Sequence, residues 1–188
     1  MKLISCTIEN FGKLNNVTYD FSGECNTICE DNGWGKSTLA SFIRVMFYGF
    51  KNESKKKLVD KERNRLMPWQ KGVYGGEIVF ETGGVVYSLR RTFGKKRADD
   101  EFLLVRKDTN VECDDFSCDI GEELFKIDAQ SFERTVFIGQ SDCVTATTDS
   151  INAKIGNLAD NTDDINNFET AVGRLTAVLN NITSTRST

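Results

Sequence analysis

The sequence predicts an α/β domain in which a strand, a glycine loop and a helix sit among β-hairpins, with a further helix at the C-terminal end. Three observations predict it. The apolar, β-prone run Asn26-Thr27-Ile28-Cys29 leads into Glu30-Asp31-Asn32-Gly33-Trp34-Gly35-Lys36-Ser37-Thr38 and then into Leu39–Phe47, a run suited to a helix. Alternating apolar segments bounded by turn residues recur along the chain, as hairpin strands require. Near the C-terminal end, Ile165, Phe168, Val172, Leu175, Leu179 and Ile182 step by three and four, the spacing of a heptad seam.

The glycine loop has the chemistry of a phosphate cradle. Glycines let successive backbone N–H groups turn toward one centre, and the helix that follows adds unpaired donors and partial positive charge. In such a loop Lys36 reaches the β- and γ-phosphates and the Ser37 hydroxyl sits on Mg²⁺. The pattern GxxxxGK[ST] places a first glycine where this chain has Glu30. If the turn there needs φ > 0, a non-glycine residue costs about 1 kcal/mol, and a carboxylate beside phosphates is unhelpful unless it points outward.

Composition bounds the alternatives. With 188 residues the chain suffices for one domain with a real core, or a domain plus an appendage. Its 39% hydrophobic and 28% charged content is that of an ordinary soluble protein, and a net charge of −4 announces no nucleic acid globally. No apolar run approaches a membrane span, and the start is too soon polar for a signal peptide. Six cysteines without such a peptide suggest a reducing cytoplasm. Cys25 and Cys29, like Cys113 and Cys118, lack zinc-pair spacing, and Cys25 and Cys29 are expected as small buried residues flanking the strand before the loop. The absence of histidine removes most general-base and triad chemistry.

In chain order, Leu3–Glu9 and Leu14–Phe21 read as strands joined at Asn10-Phe11-Gly12, and Cys25–Cys29 as a third strand feeding the loop. Residues 51–71 lose the apolar period. They carry Lys51, Lys55, Lys56, Lys57, Lys61, Arg63, Arg65 and Lys71 against Glu53, Asp60 and Glu62, and read as a solvated loop closed by Pro68-Trp69-Gln70. Tyr74–Thr82 and Val85–Phe93 form a hairpin through Gly83-Gly84, and Glu101–Lys107 is a further strand. Between them lies a basic tip, residues 90–97. Ile120–Ile127 and Gln130–Arg134 read as short helices, and Thr135-Val136-Phe137-Ile138 as a β-rich run ending in Gly139-Gln140. The heptad stretch is either an amphipathic helix on the domain or the root of a coiled coil whose remainder is missing.

Taken together, the opening strand, Ile8-Glu9-Asn10-Phe11-Gly12 and Asn32–Thr38 resemble the N-terminal ATPase lobe of the SMC superfamily, nearest its SbcC/RecN/YhaN-like branch. Phe132–Gln140 resembles that family's Q-loop, in which a glutamine ends a strand and meets magnesium and the attacking water. Gln140 stands 104 positions after Lys36. Transporter-type ABC ATPases carry the glutamine much closer, whereas the SMC-like branch inserts hairpins and helices. Gln140 also has a plainer reading, as a polar residue ending an edge strand.

The resemblance implies an ABC/SMC-type P-loop NTPase N-lobe with a mixed sheet and β-hairpins, followed by a helix that starts a coiled coil. Its parts are a head lobe over 1–143, a connecting segment over 144–161 and a truncated coiled-coil helix over 162–188. ATP and Mg²⁺ are the implied cofactors, held by Asn32, Gly33, Trp34, Gly35, Lys36, Ser37 and Thr38. Lys36 and Gln140 are the catalytic residues, Ser37 and Gln140 the metal ligands, and Thr38 bonds the α-phosphate. The family's Walker B Asp-Glu and its Leu-Ser-Gly-Gly-like signature loop lie beyond the coiled coil. The nearest imitation here, Ile78-Val79-Phe80-Glu81, lacks the aspartate. The chain is therefore expected to be half an ATPase, its partners a C-terminal lobe, a second head and a nuclease subunit. The implied setting is DNA repair or chromosome maintenance in the cytoplasm, away from membranes.

Residues 51–71 and 90–97 supply cations without a base-reading pattern, which suits either sequence-independent contact with duplex DNA or a merely solvated surface. Trp69 and Phe93 are candidates for base stacking or for core. Two rivals remain: a small P-loop kinase or GTPase, although no Asn-Lys-x-Asp is present, and a non-enzymatic coiled-coil module with a degenerate nucleotide site.

Overall fold

The computed structural model describes residues 1–21, 23–51, 53, 61–137, 172, 175 and 176. One compact unit spans Met1–Val144 and a second Thr145–Thr188. In the second, the described residues, Val172, Leu175 and Thr176, are helical, and Val172 and Leu175 are exposed. The connecting segment 144–161 and the other heptad positions lie outside the described residues.

The first unit is a six-stranded sheet with helices against it. The strands are β1 (Lys2–Phe11), β2 (Leu14–Asp20), β3 (Gly75–Thr82), β4 (Val85–Thr92), β5 (Glu101–Arg106) and β6 (Val111–Glu112), in the order β2-β1-β3-β4-β5-β6. All five pairings are antiparallel, so the expected mixed sheet is corrected to an antiparallel one. The reason is local: β1–β2, β3–β4 and β5–β6 are joined by tight turns, and such turns permit only antiparallel neighbours. β6, two residues long, is too short to leave a signal in the sequence.

Register aligns one apolar row across the sheet. Cys6 faces Ile78, Ile78 faces Leu89 and Leu89 faces Leu104, all buried. The row forms one core with α1 (Lys36–Tyr48), where three-and-four spacing places Leu39, Phe42, Val45 and Met46 on one face and Phe47 is buried beside them. Burial among these side chains pushes the Cys6 thiol up to about 12. Phe11 meets Phe42 edge to face at 5.2 Å, and Phe47 meets Phe80 at 5.7 Å. Close approach of β1, and of Phe42 from α1, requires glycine at position 76. A Cβ there would stand 2.2 Å from the Thr7 carbonyl oxygen and 3.0 Å from the Phe42 ring.

Among the described residues three further short α-helices follow: α2 (Glu62–Arg65), α3 (Ile120–Phe125) and α4 (Ala129–Thr135). α4 starts where Asp128 accepts a hydrogen bond from Ser131 N at 2.6 Å, an N-cap that also holds the Asp128 carboxyl below its usual range. The end of α1 docks there: Tyr48 donates to the Ile127 carbonyl at 3.0 Å, and its ring lies 4.8 Å from Phe132. The β-rich run expected at Thr135–Ile138 is corrected over its described part. Thr135 closes α4, and the Val136 and Phe137 amides both return to the Phe132 carbonyl. Ile138 lies outside the described residues.

Two other expectations change. Cys25–Cys29 is not a strand; both cysteines are exposed, and Asn26 donates to the Gly23 carbonyl at 3.1 Å in a local turn. β-prone residues become a strand only beside a partner, and both sides of β1 are already taken by β2 and β3. The basic segment is also no uniformly solvated loop. Residues 54–60 lie outside the described residues, but α2 within it is anchored by buried Glu62 and Arg63.

Candidate functional site

The loop after residue 29 turns on two glycines, Gly33 at φ 84° and Gly35 at φ 124°, with the Trp34 amide donating to the Asp31 carbonyl at 3.2 Å. Glu30 takes no positive φ and its side chain is exposed, so the missing first glycine strains nothing here and the carboxylate has room to stay in water. Trp34 packs edge to face on Tyr19 of β2, with ring centroids 5.9 Å apart. Gly35 packs against Leu14 and Lys13; a Cβ on it would stand 3.0 and 3.1 Å from their side chains. The β1–β2 hairpin is thus the bed on which the loop rests.

α1 begins at Lys36 with no side-chain cap, and its first internal N–H bond runs from Leu39 to the Gly35 carbonyl at 2.8 Å. The first-turn amides are left as donors at the positive end of the helix dipole. Lys36 folds back over the loop, donating to the Glu30 carbonyl and, at 3.0 Å, to the Asp31 carbonyl. Its ammonium therefore lies over the loop that would cradle the phosphates. Ser37 is exposed and Thr38 half-buried, with hydroxyls on the first turn. Asn32, Gly33, Trp34, Gly35, Lys36, Ser37 and Thr38 form one continuous surface. Gln140 lies outside the described residues.

Beside this surface opens a cavity of about 620 Å³ that the sequence did not announce. One wall is Gly12 and Lys13 at the β1–β2 turn. The second is α1 through Ser37, Thr38 and Ser41. The third is the segment Arg65, Leu66, Trp69 and Gln70. The Gly12 amide ties two walls together by donating to the Leu66 carbonyl at 2.7 Å. Gly12 also packs on Thr38, whose Cγ2 would lie 2.9 Å from a Cβ there. On the other flank of α1 an apolar groove runs past Lys36, lined by Phe21, Ile28, Leu39, Ala40 and Ile43.

α1 is held by a buried ion network. Arg44, 2% exposed, pairs with Glu62 and lies 3.4 Å from Glu133, which Lys51 meets at 2.5 Å. This joins α1 to α2 and to α4. Arg63, 4% exposed, bonds Glu53 at 2.6 Å, Asp100 at 2.6 and 2.8 Å and the Gly94 carbonyl at 3.0 Å, with its guanidinium 4.5 Å over the Phe50 ring. Burial works against the Arg63 charge, yet the two carboxylates more than offset it and hold the group protonated. Arg91 is also buried, and with less compensation its affinity for a proton falls to about 10.

These burials remove Arg63 and Arg91 from the two basic surfaces read in the sequence; Phe93 is likewise core. Arg90 pairs with Glu9 at 2.6 Å. Arg65, Lys71, Lys95, Lys96 and Arg97 are exposed. Among the described residues no cluster of three or more carboxylates and thiols is placed to hold a metal ion, and no helix is long and apolar enough to cross a membrane. The donors of the loop nonetheless suit a polyphosphate with its divalent cation, because Ser37 offers a single hydroxyl and phosphate oxygens would supply further ligands.

A family model described as an AAA domain matches residues 5–185. An uncharacterized protein of Bacillus subtilis (strain 168), YhaN, is 35% identical over 82 residues, which is 43% of this chain and 8% of that protein. The matched stretch is thus a small part of the relative's length.

Proposed function

The chain belongs to the AAA-domain family of P-loop ATPases, of the SMC-like type, and from that premise we propose that it is the ATP–Mg²⁺-binding half of an SMC-like ATPase head. The observation that carries the proposal is the arrangement of uncapped α1, glycine loop and Lys36 beside a cavity of nucleotide size. Backbone amides of residues 33–38 and the Lys36 ammonium hold the β- and γ-phosphates. Ser37 ligates the metal, Thr38 bonds the α-phosphate, and Gln140 senses the γ-phosphate. The metal, when bound, neutralises charge on the phosphate oxygens.

Hydrolysis requires a general base and a signature loop from a C-terminal lobe and a second head. Phosphoryl transfer depends on complete positioning and charge stabilisation, so half a constellation turns over orders of magnitude more slowly. The apolar groove along Phe21, Ile28, Leu39 and Ile43, beside a β-prone segment that has no strand partner among the described residues, is where that lobe would pack. The expected result for the 188-residue chain is measurable heat on titration with ATP–Mg²⁺ and phosphate release at background level. Robust turnover that Lys36→Ala abolishes would sink the half-site reading.

A role in DNA repair or chromosome maintenance, in the cytoplasm and with a nuclease subunit, belongs to the same proposal. Its support in this chain is the exposed set Arg65, Lys71, Lys95, Lys96 and Arg97. Cations of this kind track phosphates without reading bases, so binding to linear duplex should weaken steeply with salt. A gel shift at two salt concentrations checks this; binding indifferent to salt, or absent at low salt, counts against it.

A further inference from the structure

We propose that the Trp69 indole stacks on the base of the bound nucleotide, making the cavity between the Gly12 turn, α1 and residues 65–70 the adenosine half of the site; this rests on the ATP-binding reading above. Trp69 is 96% exposed, and among the described residues no ring or cation packs on it. A tryptophan in a folded protein ordinarily buries about 150–250 Å². Its whole aromatic surface is left facing solvent at the lip of a cavity that also reaches Ser37 and Thr38.

Position gives the cavity a direction. Phosphates anchored at residues 33–38 leave the rest of a nucleotide to extend past Thr38. The open space there is bounded by Lys13, Ser41, Arg65, Trp69 and Gln70. A volume of about 620 Å³ falls within the usual range of small-ligand sites, roughly 300–1,000 Å³. Lys13 and Arg65 bring positive charge to the walls. The Gln70 amide brings the donor and acceptor pair that reads an adenine edge.

The platform is set on a fixed root. Leu66 is buried, its amide bonds the Glu62 carbonyl at 2.9 Å, and its own carbonyl accepts from Gly12. Pro68, immediately before the tryptophan, restricts the backbone further. Stacking suits such a position, because every base has a π-face and the contact depends on the platform being in place rather than on a precise hydrogen bond.

Titration of the full chain with ATP–Mg²⁺ and with inorganic triphosphate–Mg²⁺ tests this. Trp69→Ala should lose about tenfold or more in ATP affinity, the contribution of one stacked base, while its triphosphate affinity stays within about twofold. Trp69→Phe should keep most of the ATP affinity. In the ¹⁵N-labelled protein, ATP should move the Trp69 indole N–H resonance, identified by its loss in Trp69→Phe, and triphosphate should leave it in place. If Trp69→Ala binds ATP as tightly as the parent while triphosphate still binds, the stacking proposal is wrong and the phosphate site stands. If neither ATP nor triphosphate binds the parent chain, both fall together.

Discussion

Lys36→Ala is expected to weaken ATP–Mg²⁺ binding by about a hundredfold or more while leaving the melting temperature within about one degree of the parent. A charged hydrogen bond to phosphate contributes about 3 kcal/mol, and tenfold in affinity corresponds to about 1.4 kcal/mol. The stability side rests on what Lys36 does without ligand. Among the described residues its ammonium meets only the carbonyls of Glu30 and Asp31 in an exposed loop, and water replaces those contacts with little loss. A structural lysine would show the opposite pattern, a lowered melting temperature with affinity reduced in proportion. Calorimetric titration and a thermal melt on the same preparation distinguish the two. Lys36→Arg should also fail, since a planar fork does not take the place of a compact ammonium close against the loop.

Arg63→Ala is expected to lower the stability of the fold by about 3 kcal/mol, equivalent to a drop of roughly 6–12 °C in melting temperature for a chain of this size. Removing the guanidinium leaves Glu53 and Asp100 facing each other without their shared cation, and takes the cover off Phe50. Arg63→Lys should recover little, because one ammonium does not reproduce bonds to two carboxylates and the Gly94 carbonyl. Arg63→Ala combined with Glu53→Gln and Asp100→Asn should regain part of the loss, since the unpaired charges then disappear. Urea denaturation of the three variants measures this. A loss below about 1 kcal/mol for Arg63→Ala would show the cluster to be a surface ion pair.

Local chemistry explains what was legible in the sequence. β1–β2 and β3–β4 announce themselves because alternation and the turn residues Gly12, Gly83 and Gly84 all act within a few positions. α1 is legible because its apolar face and the glycines ahead of it agree. Arg63 and Arg91 were not legible as buried residues. A long cation reads as surface until its partners are known, and Asp100 lies 37 residues from Arg63. Cys25–Cys29 misleads for the complementary reason: its residues favour a strand, but no strand lies beside it among those described. The cavity escapes a linear reading because its three walls come from a hairpin turn, the α1 helix and a post-helical segment. The tether from Gly12 to Leu66, the packing of Gly12 on Thr38 and the Arg44–Glu62 pair make them neighbours.

The pairing of β1 with β3 has a consequence for how binding can be observed. Every other pairing joins consecutive strands, whereas this one closes over the glycine loop, α1 and α2. The cradle lies within that long closure, and an unfolded chain has no comparable affinity for polyphosphate. Ligand binding and closure of the sheet become linked equilibria. At a hundred times its dissociation constant, any nucleotide that occupies the loop adds about 2.7 kcal/mol to the stability of the unit. A melting curve thus serves as a binding meter, able to rank triphosphates, diphosphates and bare polyphosphate without any turnover to follow.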